Sequence, residues 1–504
     1  MTQHQHQHTN ALVTGLNQQS LAQLPSHVDT PSYDRSAVKA GIVHIGVGGF
    51  HRAHQAVYVN ELLKTPGSEQ WGICGVGLLE GNRGLRDILK QQDYLYTLTV
   101  RHPDGKIDNK VIGSMIDFLF APEDKQAVIN KLAHSDTKIV SLTITEGGYN
   151  FNPATGEFDY SNPDNNPNDP ITAFGYITAA LKLRKEQGLG AFTVQSCDNI
   201  QHNGNVTRKM LLAFATEQDK NLSEWIEQNV SFPNAMVDRI TPVSKKSDID
   251  YVVDAYGVSD EWPITCESFT QWVIEDTFSD SRPNWDVVGA QFVTDVTPYE
   301  TMKIRLLNAG HSVLGLLGSI HGYGTIDETV SDELFATYLR AFMDKEVTPN
   351  LEPLEGIDLQ SYKDTLIERF ANPNIKDSLA RICSESSAKL PKFIIATINE
   401  NLVQGRDVSL ATLVIATWCL YSDKGVSEKG EKLEIQDAMY KELNAYAQQS
   451  QANPTAFLKL TSLFGKLEHN ETFTAEYKKS IAALYAPNSK IKAIMQAVLE
   501  QKSN

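Results

Sequence analysis

Up to about Val293 this sequence alternates short apolar runs that stop at glycines with stretches of helical spacing; from Tyr299 onward the runs vanish and the helical spacing remains. No other feature constrains the fold as strongly. Strand and helix in alternation demand a mostly parallel sheet with helices on its faces, and a strandless remainder buries its apolar residues as packed helices. The chain is therefore expected to be α/β over residues 1–296 and all-α over 297–504. Helical spacing is plainest at 332–345, 359–371, 406–421, 434–449 and 473–485. With 504 residues there is enough chain to fill a core in each part.

The first strand is expected at Gly41–Gly46 (GIVHIG), followed by the turn GVGGFHRAH and a helix to about Lys64. Glycines at such a turn let the backbone bend tightly and approach a pyrophosphate, and a third lets helix pack on strand. Gly46 and Gly48 fill the first two places; His51 stands in the third, with Gly49 nearby, so the signature is partial. Gly46, Val47, Gly48, Gly49, Phe50 and Arg52 form the candidate cofactor turn. A second strand, Trp71–Leu78, ends just before Glu80. A carboxylate there is placed to accept hydrogen bonds from both ribose hydroxyls of an adenosine and to repel a 2′-phosphate, which favours NAD over NADP. Further strands are expected at Tyr94–Val100, Val111–Phe120, Lys138–Thr145, Ala191–Ser196 and Val287–Val293, with helices at 123–133 and 171–187. Lys138–Thr145 runs into Glu146, Gly147 and Gly148, a second place where a ligand can approach a strand's carboxyl end. The Asn-, Pro- and Asp-rich stretch 150–169 reads as a surface excursion.

Asn199 follows the strand ending at Ser196, where an amide can donate to a substrate oxygen; Asp198 and Asn203 are equally suited to capping the next helix. Asp238 and Arg239, set among apolar residues in MVDRITP, either pair with each other or leave Asp238 facing a site. The most informative helix is Pro298–Gly318. At about 100° per residue, Glu300, Lys303, Asn308 and His311 share one arc of roughly 140°, while Leu306, Ala309, Val313, Leu316 and Leu317 crowd the other side. Such polar groups are not buried without partners, so this face is expected to border a cavity. The plain alternative is a surface Lys–Glu pair, with the Asn and His bonded to a nearby loop.

A net charge of −17 and the lack of a Lys/Arg stripe argue against nucleic acid as a partner. The longest apolar run, Leu410–Leu420, is too short to span a bilayer, and MTQHQHQHTN lacks the pattern of a signal peptide. Cytoplasmic residence is the default reading. Five scattered cysteines read as reduced core thiols. With no HExxH or Cys/His quartet, no metal requirement is expected; His4, His6 and His8 lie in a polar tail that reads as a frayed terminus. The acidic surface, without a long apolar stripe, permits a monomer.

The segments GIVHIGVGGFHRAHQ, WGICGVGL, SLTITEGGY, SCDNIQHNG, MVDRITP and TPYETMKIRLLNAGHS, taken in this order, resemble the mannitol dehydrogenase family, the polyol-specific long-chain dehydrogenases. The resemblance implies a Rossmann-like amino-terminal domain and an α-helical carboxy-terminal domain. It also implies NAD as cofactor, a small polyol or ketose as substrate, D-mannitol and D-fructose being the expected pair, and metal-independent hydride transfer in the cleft between the domains. In the family's motif the lysine of the KxxLLN helix is the catalytic base, here Lys303. Its asparagine partners map onto Asn199 and Asn308, and the motif histidine onto His311. Glu300 resembles the residue that links the lysine to solvent, and Asp238, Arg381 and Lys389 fall where the family contacts substrate hydroxyls. A lysine base needs its pKa brought down from about 10.4 by burial, which the apolar flank of its helix can supply. Two other readings stay open. One is a fructuronate or tagaturonate reductase of the same family, whose substrate carboxylate wants an added cation such as Arg381 or Lys389. The other is a non-catalytic NAD(H)-binding regulator, which has no need of Lys303, Asn308, His311 and Asn199 together.

Overall fold

The computed structural model describes residues 14–150, 156–161, 169–354 and 356–501; the His-rich tail and much of the 150–169 excursion lie outside the described residues. The chain divides into two compact units, Met1–His102 with Lys106–Val296, and Pro103–Gly105 with Thr297–Asn504.

The first unit is built on a parallel sheet of β1 (Ile42–Ile45), β2 (Ile73–Gly77), β3 (Met115–Phe120), β4 (Ile139–Leu142) and β5 (Thr193–Ser196), in the order β3-β2-β1-β4-β5. Ile42 stands level with Ile73 on one side and Ile139 on the other. Helices α1 (Gly49–Ala53) and α2 (Gln55–Leu63) follow β1, α3 (Arg83–Gln91) follows β2, α4 (Lys125–Ala133) follows β3, α5 (Ala173–Glu186) precedes β5, and α6 (Asn203–Gln218) follows it. Val43, Ile45, Cys74, Val76, Val140, Leu142 and Val194 pack in one core with apolar residues of α4, α5 and α6. Strand alternation sends the intervening residues to the opposite face. There Ile42, Ile73 and Ile139 join the core under α2, but His44, Ser141 and Gln195 are buried on that face as well.

Two expected strands differ in detail. The run Val111–Phe120 is divided: Ile107–Ile112 pairs antiparallel with Tyr96–Arg101 in a separate sheet, and Met115–Phe120 is β3. Between them the Gly113 N–H donates to Asn60 Oδ1 and the Ser114 hydroxyl to the Ala56 carbonyl, which ties the bend to α2. The expected strand at Val287–Val293 begins as a 3₁₀ turn, Trp285–Val288, and is extended at Gln291–Val293. A further strand, β6 (Ala235–Asp238), runs antiparallel to Gln271–Glu275.

In the second unit the described residues form helices, with no strand beyond isolated bridges. Helix α7 (Thr297–Lys303) continues through a π turn, Ile304–Asn308, into α8 (Ala309–His321). Two more π turns, Met343–Val347 and Pro391–Ile395, pack against the first. The third begins at a proline, which removes an N–H and clashes with the preceding turn of an ordinary helix. The helix Ser409–Lys424 is buried along most of its length, against α8, Tyr440–Ala447 and Glu471–Leu484. Its first turn is held by a buried carboxylate: Glu346, in the second π turn, accepts the N–H groups of Leu410 (2.8 Å) and Ala411 (2.9 Å). Among the described residues no helix is long and apolar enough to cross a membrane.

Glu346→Ala leaves two buried N–H groups without their acceptor and is expected to destabilise the second unit by about 3 kcal/mol. A lowered urea midpoint is the readout; an unchanged midpoint would show that the carboxylate is dispensable to this helix.

Candidate active site

In the first unit the chain leaves β1 toward β2 and β3, then crosses back to β4 and β5. The strand order therefore reverses between β1 and β4, and in such sheets a ligand binds in the crevice outside the carboxyl ends at this switch point. One wall is the turn after β1 and the other is the segment after β4.

Gly46 opens the first wall at φ +94°, and a Cβ there would lie 2.2 Å from the Thr143 carbonyl oxygen. A side chain is excluded both by the conformation and by contact with the neighbouring strand. Its carbonyl accepts from the Thr143 hydroxyl at 2.6 Å. Thr143 Oγ1 must then accept from His44 Nε2–H, 2.9 Å away, which leaves His44 Nδ1 to accept from the Ser141 hydroxyl at 2.8 Å. Gln55 Oε1 stands 2.8 Å from the same hydroxyl and competes with His44 Nδ1 for its single proton. Burial keeps His44 neutral, its pKa pushed down to about 3. The His51 ring stacks on it at 3.5 Å between centroids, and neither nitrogen of His51 has a hydrogen-bond partner among the described residues. Burial first, and then the neighbouring His44, Arg52 and His54, lower its pKa well below the usual value.

Val47 is buried, Phe50 stacks on His54 at 4.9 Å, and Gly48 and Gly49 begin α1. Arg52 is turned inward, 1% exposed, and donates to the Trp262 carbonyl at 2.7 Å. Glu80 lies past the end of β2, exposed, with Arg83 donating to both of its oxygens; Arg83 also reaches Glu123, which is bonded to Arg86. Hydrogen bonding from Arg83 holds the Glu80 carboxyl below its usual range. In the second wall Glu146 and Gly147 begin a 3₁₀ turn, Glu146–Tyr149, both exposed. Asn199 is exposed just beyond β5, and Asp238 is buried at the end of β6. Arg239 commits its guanidinium to the carbonyls of Ala53 and Glu267. The helix α6 begins with His202 at its N-cap and no side-chain cap, so neither Asp198 nor Asn203 fills that role. Asn203 instead ties the Asp198 carbonyl to β6, through Ala235.

In the second unit the π turn changes the geometry of the KxxLLN segment. In a uniform α-helix Lys303 and Asn308, five residues apart, stand about 140° from one another. Here the Ala309 N–H donates to the Ile304 carbonyl, five residues back. A turn closed over five residues takes more residues to go once round, so Lys303 and Asn308 stand closer together round the axis than about 140°. Glu300 and Lys303 are 4% and 6% exposed. Arg305, inside the π turn, braces it by donating to Thr397 Oγ1 and to both oxygens of Glu400. His311 packs its ring on Phe370 at 4.5 Å. Gly315 and Gly318 sit where a Cβ would lie 2.9 Å from Cys383 Sγ and 2.6 Å from Thr329 Oγ1, so neighbouring helices come close to α8.

Arg381, with a side chain 63% exposed, grips the Asp377 carboxylate through two of its nitrogens. Lys389 donates to the Ile382 carbonyl at 3.3 Å, and burial lowers its pKa. Among the described residues no three His, Cys, Asp or Glu side chains gather as a metal-ligand set. The residues that sequence reasoning passed over are His44, Ser141 and Thr143. A histidine inside an otherwise apolar strand was the available signal.

Two family models match the chain: the mannitol dehydrogenase Rossmann domain over residues 40–287 and the mannitol dehydrogenase C-terminal domain over residues 295–485. A mannitol 2-dehydrogenase of Pyricularia oryzae is 44% identical over 91% of this chain and 93% of its own length. Mannitol dehydrogenase 2 of Saccharomyces cerevisiae is 41% identical over 96% and 98%. The solved ternary complex of Pseudomonas fluorescens mannitol 2-dehydrogenase with NAD and D-mannitol is similar at 45% identity and a TM-score of 0.86, covering 97% of this chain and all of that one. A substrate-free D-sorbitol dehydrogenase has the same TM-score, 0.86, at 37% identity, over 96% of this chain and 98% of that one.

The His51 pair of nitrogens makes acid costly. The unfolded chain takes up a proton near pH 6.5 that the folded chain refuses, so stability is full above pH 6.5 and falls on acidification, by about 2 kcal/mol per such histidine between pH 7 and 5. His51→Phe, which keeps a ring against His44, is expected to remove about that much of the loss, read from urea titrations at the two pH values. An unaltered loss would mean that His51 titrates alike in both states.

Proposed function

The chain belongs to the mannitol dehydrogenase family, and from this we propose that it interconverts D-mannitol and D-fructose with NAD(H). Likeness over nearly the whole length to a mannitol 2-dehydrogenase solved with NAD and D-mannitol carries this reading. The residues of the first unit fit the cofactor: Gly46 is held at positive φ, while a Cβ on Gly48 would meet only the Gly46 oxygen at 3.8 Å, leaving the open approach that a pyrophosphate uses. Gly46, Val47, Gly48, Gly49 and Phe50 would hold it, with Arg52 bracing their turn from below, Glu80 on the adenosine ribose, and Glu146 and Gly147 on the facing segment. Bound NAD supplies the hydride acceptor in oxidation and, as NADH, the donor in reduction.

The protein's own groups handle the proton. Lys303 takes it from the substrate hydroxyl, and its burial is what a lysine base requires. Asn308, brought closer to Lys303 round the helix axis by the π turn, and Asn199 donate hydrogen bonds to the oxygen as it gains negative charge. Glu300, three residues before Lys303, passes the proton toward water, and His311 fixes the substrate with Asp238, Arg381 and Lys389. A polyol is favoured over a uronate because the cation a carboxylate would need is already engaged: Arg381 is paired with Asp377, and burial disfavours the charged form of Lys389. The five buried free thiols support cytoplasmic residence.

The test is NADH oxidation by the purified protein with D-fructose and with D-fructuronate in parallel. Fructose turnover is expected, and turnover of fructuronate alone would move the substrate. Lys303→Ala should lower turnover on the order of 10²–10⁴-fold with the dissociation constant of NADH little changed; a proportional loss of both would make the lysine structural. Glu80→Gln leaves Arg83 and Arg86 less neutralised. It should raise the preference for NADPH over NADH, in kcat/KM, by about tenfold or more, and an unchanged ratio would remove Glu80 from the ribose site.

A further inference from the structure

Asp198 stands between β5 and Asn199, 7% exposed, and its carboxylate is not turned to the following helix. It reaches to the end of the neighbouring strand: Oδ2 accepts the Ile144 N–H at 3.0 Å and Oδ1 the Thr145 N–H at 2.9 Å. The Tyr149 hydroxyl, buried and also 2.6 Å from Ser196 Oγ, donates to Oδ2 at 2.7 Å. One carboxylate thus binds both ends of the segment that forms the second wall of the switch-point crevice.

The backbone it grips is strained. Thr145 has φ +57° and ψ 172°, a region that glycine occupies freely and a β-branched residue does not. Such a conformation persists only where its surroundings hold it, and the amide held by Asp198 Oδ1 is that of the strained residue itself. On its other side the same segment is fastened to the first wall through Thr143 and Gly46. Two successive N–H groups require two acceptors. A carboxylate has them, whereas an asparagine has one oxygen and would turn an NH₂ toward the second donor. Burial holds the Asp198 carboxyl above its usual range although hydrogen bonds from Tyr149 and the two amides oppose the shift, so the protein bears the cost of burying this group where an apolar residue would fill the space.

We propose that Asp198 is a positioning residue for the cofactor: it holds Thr143–Tyr149 in a strained form that keeps the crevice ready for the dinucleotide. The inference rests on the NAD-binding reading above. Its test is NADH titration by fluorescence on wild type, D198N, Y149F and the double variant D198N/T145G. Amide hydrogen exchange of Ile144 and Thr145 is measured alongside, without cofactor.

D198N should lose amide protection at those two positions and bind NADH at least about tenfold more weakly, with kcat at saturating NADH within about threefold of wild type. Y149F, which leaves both amide anchors in place, should bind NADH within about twofold of wild type. Glycine at 145 removes the strain, so D198N/T145G should recover most of the lost affinity. If D198N alone does not fold, the double variant must restore folding and NADH binding together. The proposal is overturned by wild-type affinity in D198N, by equal losses in D198N and Y149F, or by a double variant no better than D198N. Absence of NADH binding by wild type would overturn the cofactor reading and this proposal with it.

Discussion

At the switch point of the first unit one hydrogen bond, from the Thr143 hydroxyl to the Gly46 carbonyl, joins the turn after β1 to the segment after β4. A backbone oxygen at a left-handed glycine, at the closely packed end of two strands, points away from the sheet ladder and needs another partner. With the Thr143 proton directed to Gly46, the Thr143 oxygen can only accept from His44 Nε2, which sets the His44 tautomer and the orientation of Ser141 behind it. A polar series through the sheet face that also carries Ile42, Ile73 and Ile139 follows from satisfying a single turn. Its burial also explains why the face under α2 accepts a neutral histidine. An imidazole with an acceptor on one side and a donor on the other can bridge two hydroxyls, which an aliphatic side chain cannot.

The second unit solves a placement problem with backbone instead of a wire. Ordinary helical spacing sets groups five residues apart about 140° from one another, and the π turn over Ile304–Asn308 brings them closer together round the axis. A π turn is rare and occurs mostly as a single turn inside an α-helix, so it needs support. Arg305 provides it from within, through Thr397 and Glu400, and the two other π turns provide it by packing against it. The irregularity is a feature of the tertiary structure, held in place by neighbours that are themselves irregular.

These two devices account for what the amino-acid sequence revealed and what it concealed. The sheet was legible because β1, β2, β4 and β5 are short apolar runs ended by polar or glycine-rich turns, a pattern that few other folds produce. The long helices were legible from their spacing for the same reason. The division of Val111–Phe120 into strands of two sheets was not, because Gly113 and Ser114 are tied to α2 by bonds to Asn60 and Ala56, more than fifty positions away. The partners of His44 lie 97 and 99 positions further on, and an isolated polar residue does not announce partners at that range. The π turn leaves the apolar spacing of its flanking helices intact, so a uniform helix fits the sequence equally well. Asp198 and Asn203 show the same limit: both are good cap residues by type, and the structure uses both to join segments distant in sequence.

The positively charged residues divide by what their chemistry allows. Arg52, Arg239, Arg305 and Arg381 each sit near a motif, and each is committed to carbonyls or a carboxylate of the scaffold. A guanidinium does not give up its proton in a protein and carries donors in a rigid plane, so it suits a brace and cannot act as a base. An ammonium gives up its proton far more readily than a guanidinium, and the lysine of the KxxLLN segment is buried. The hydroxyl-rich substrate of the proposed reaction carries no charge, so Arg381, its own charge met by Asp377, would meet it through hydrogen bonds to hydroxyls and not by ion pairing. What it needs is a base for one hydroxyl and neutral donors for the oxygen left behind, and the two asparagines and the lysine are the side chains in these motifs that can supply both.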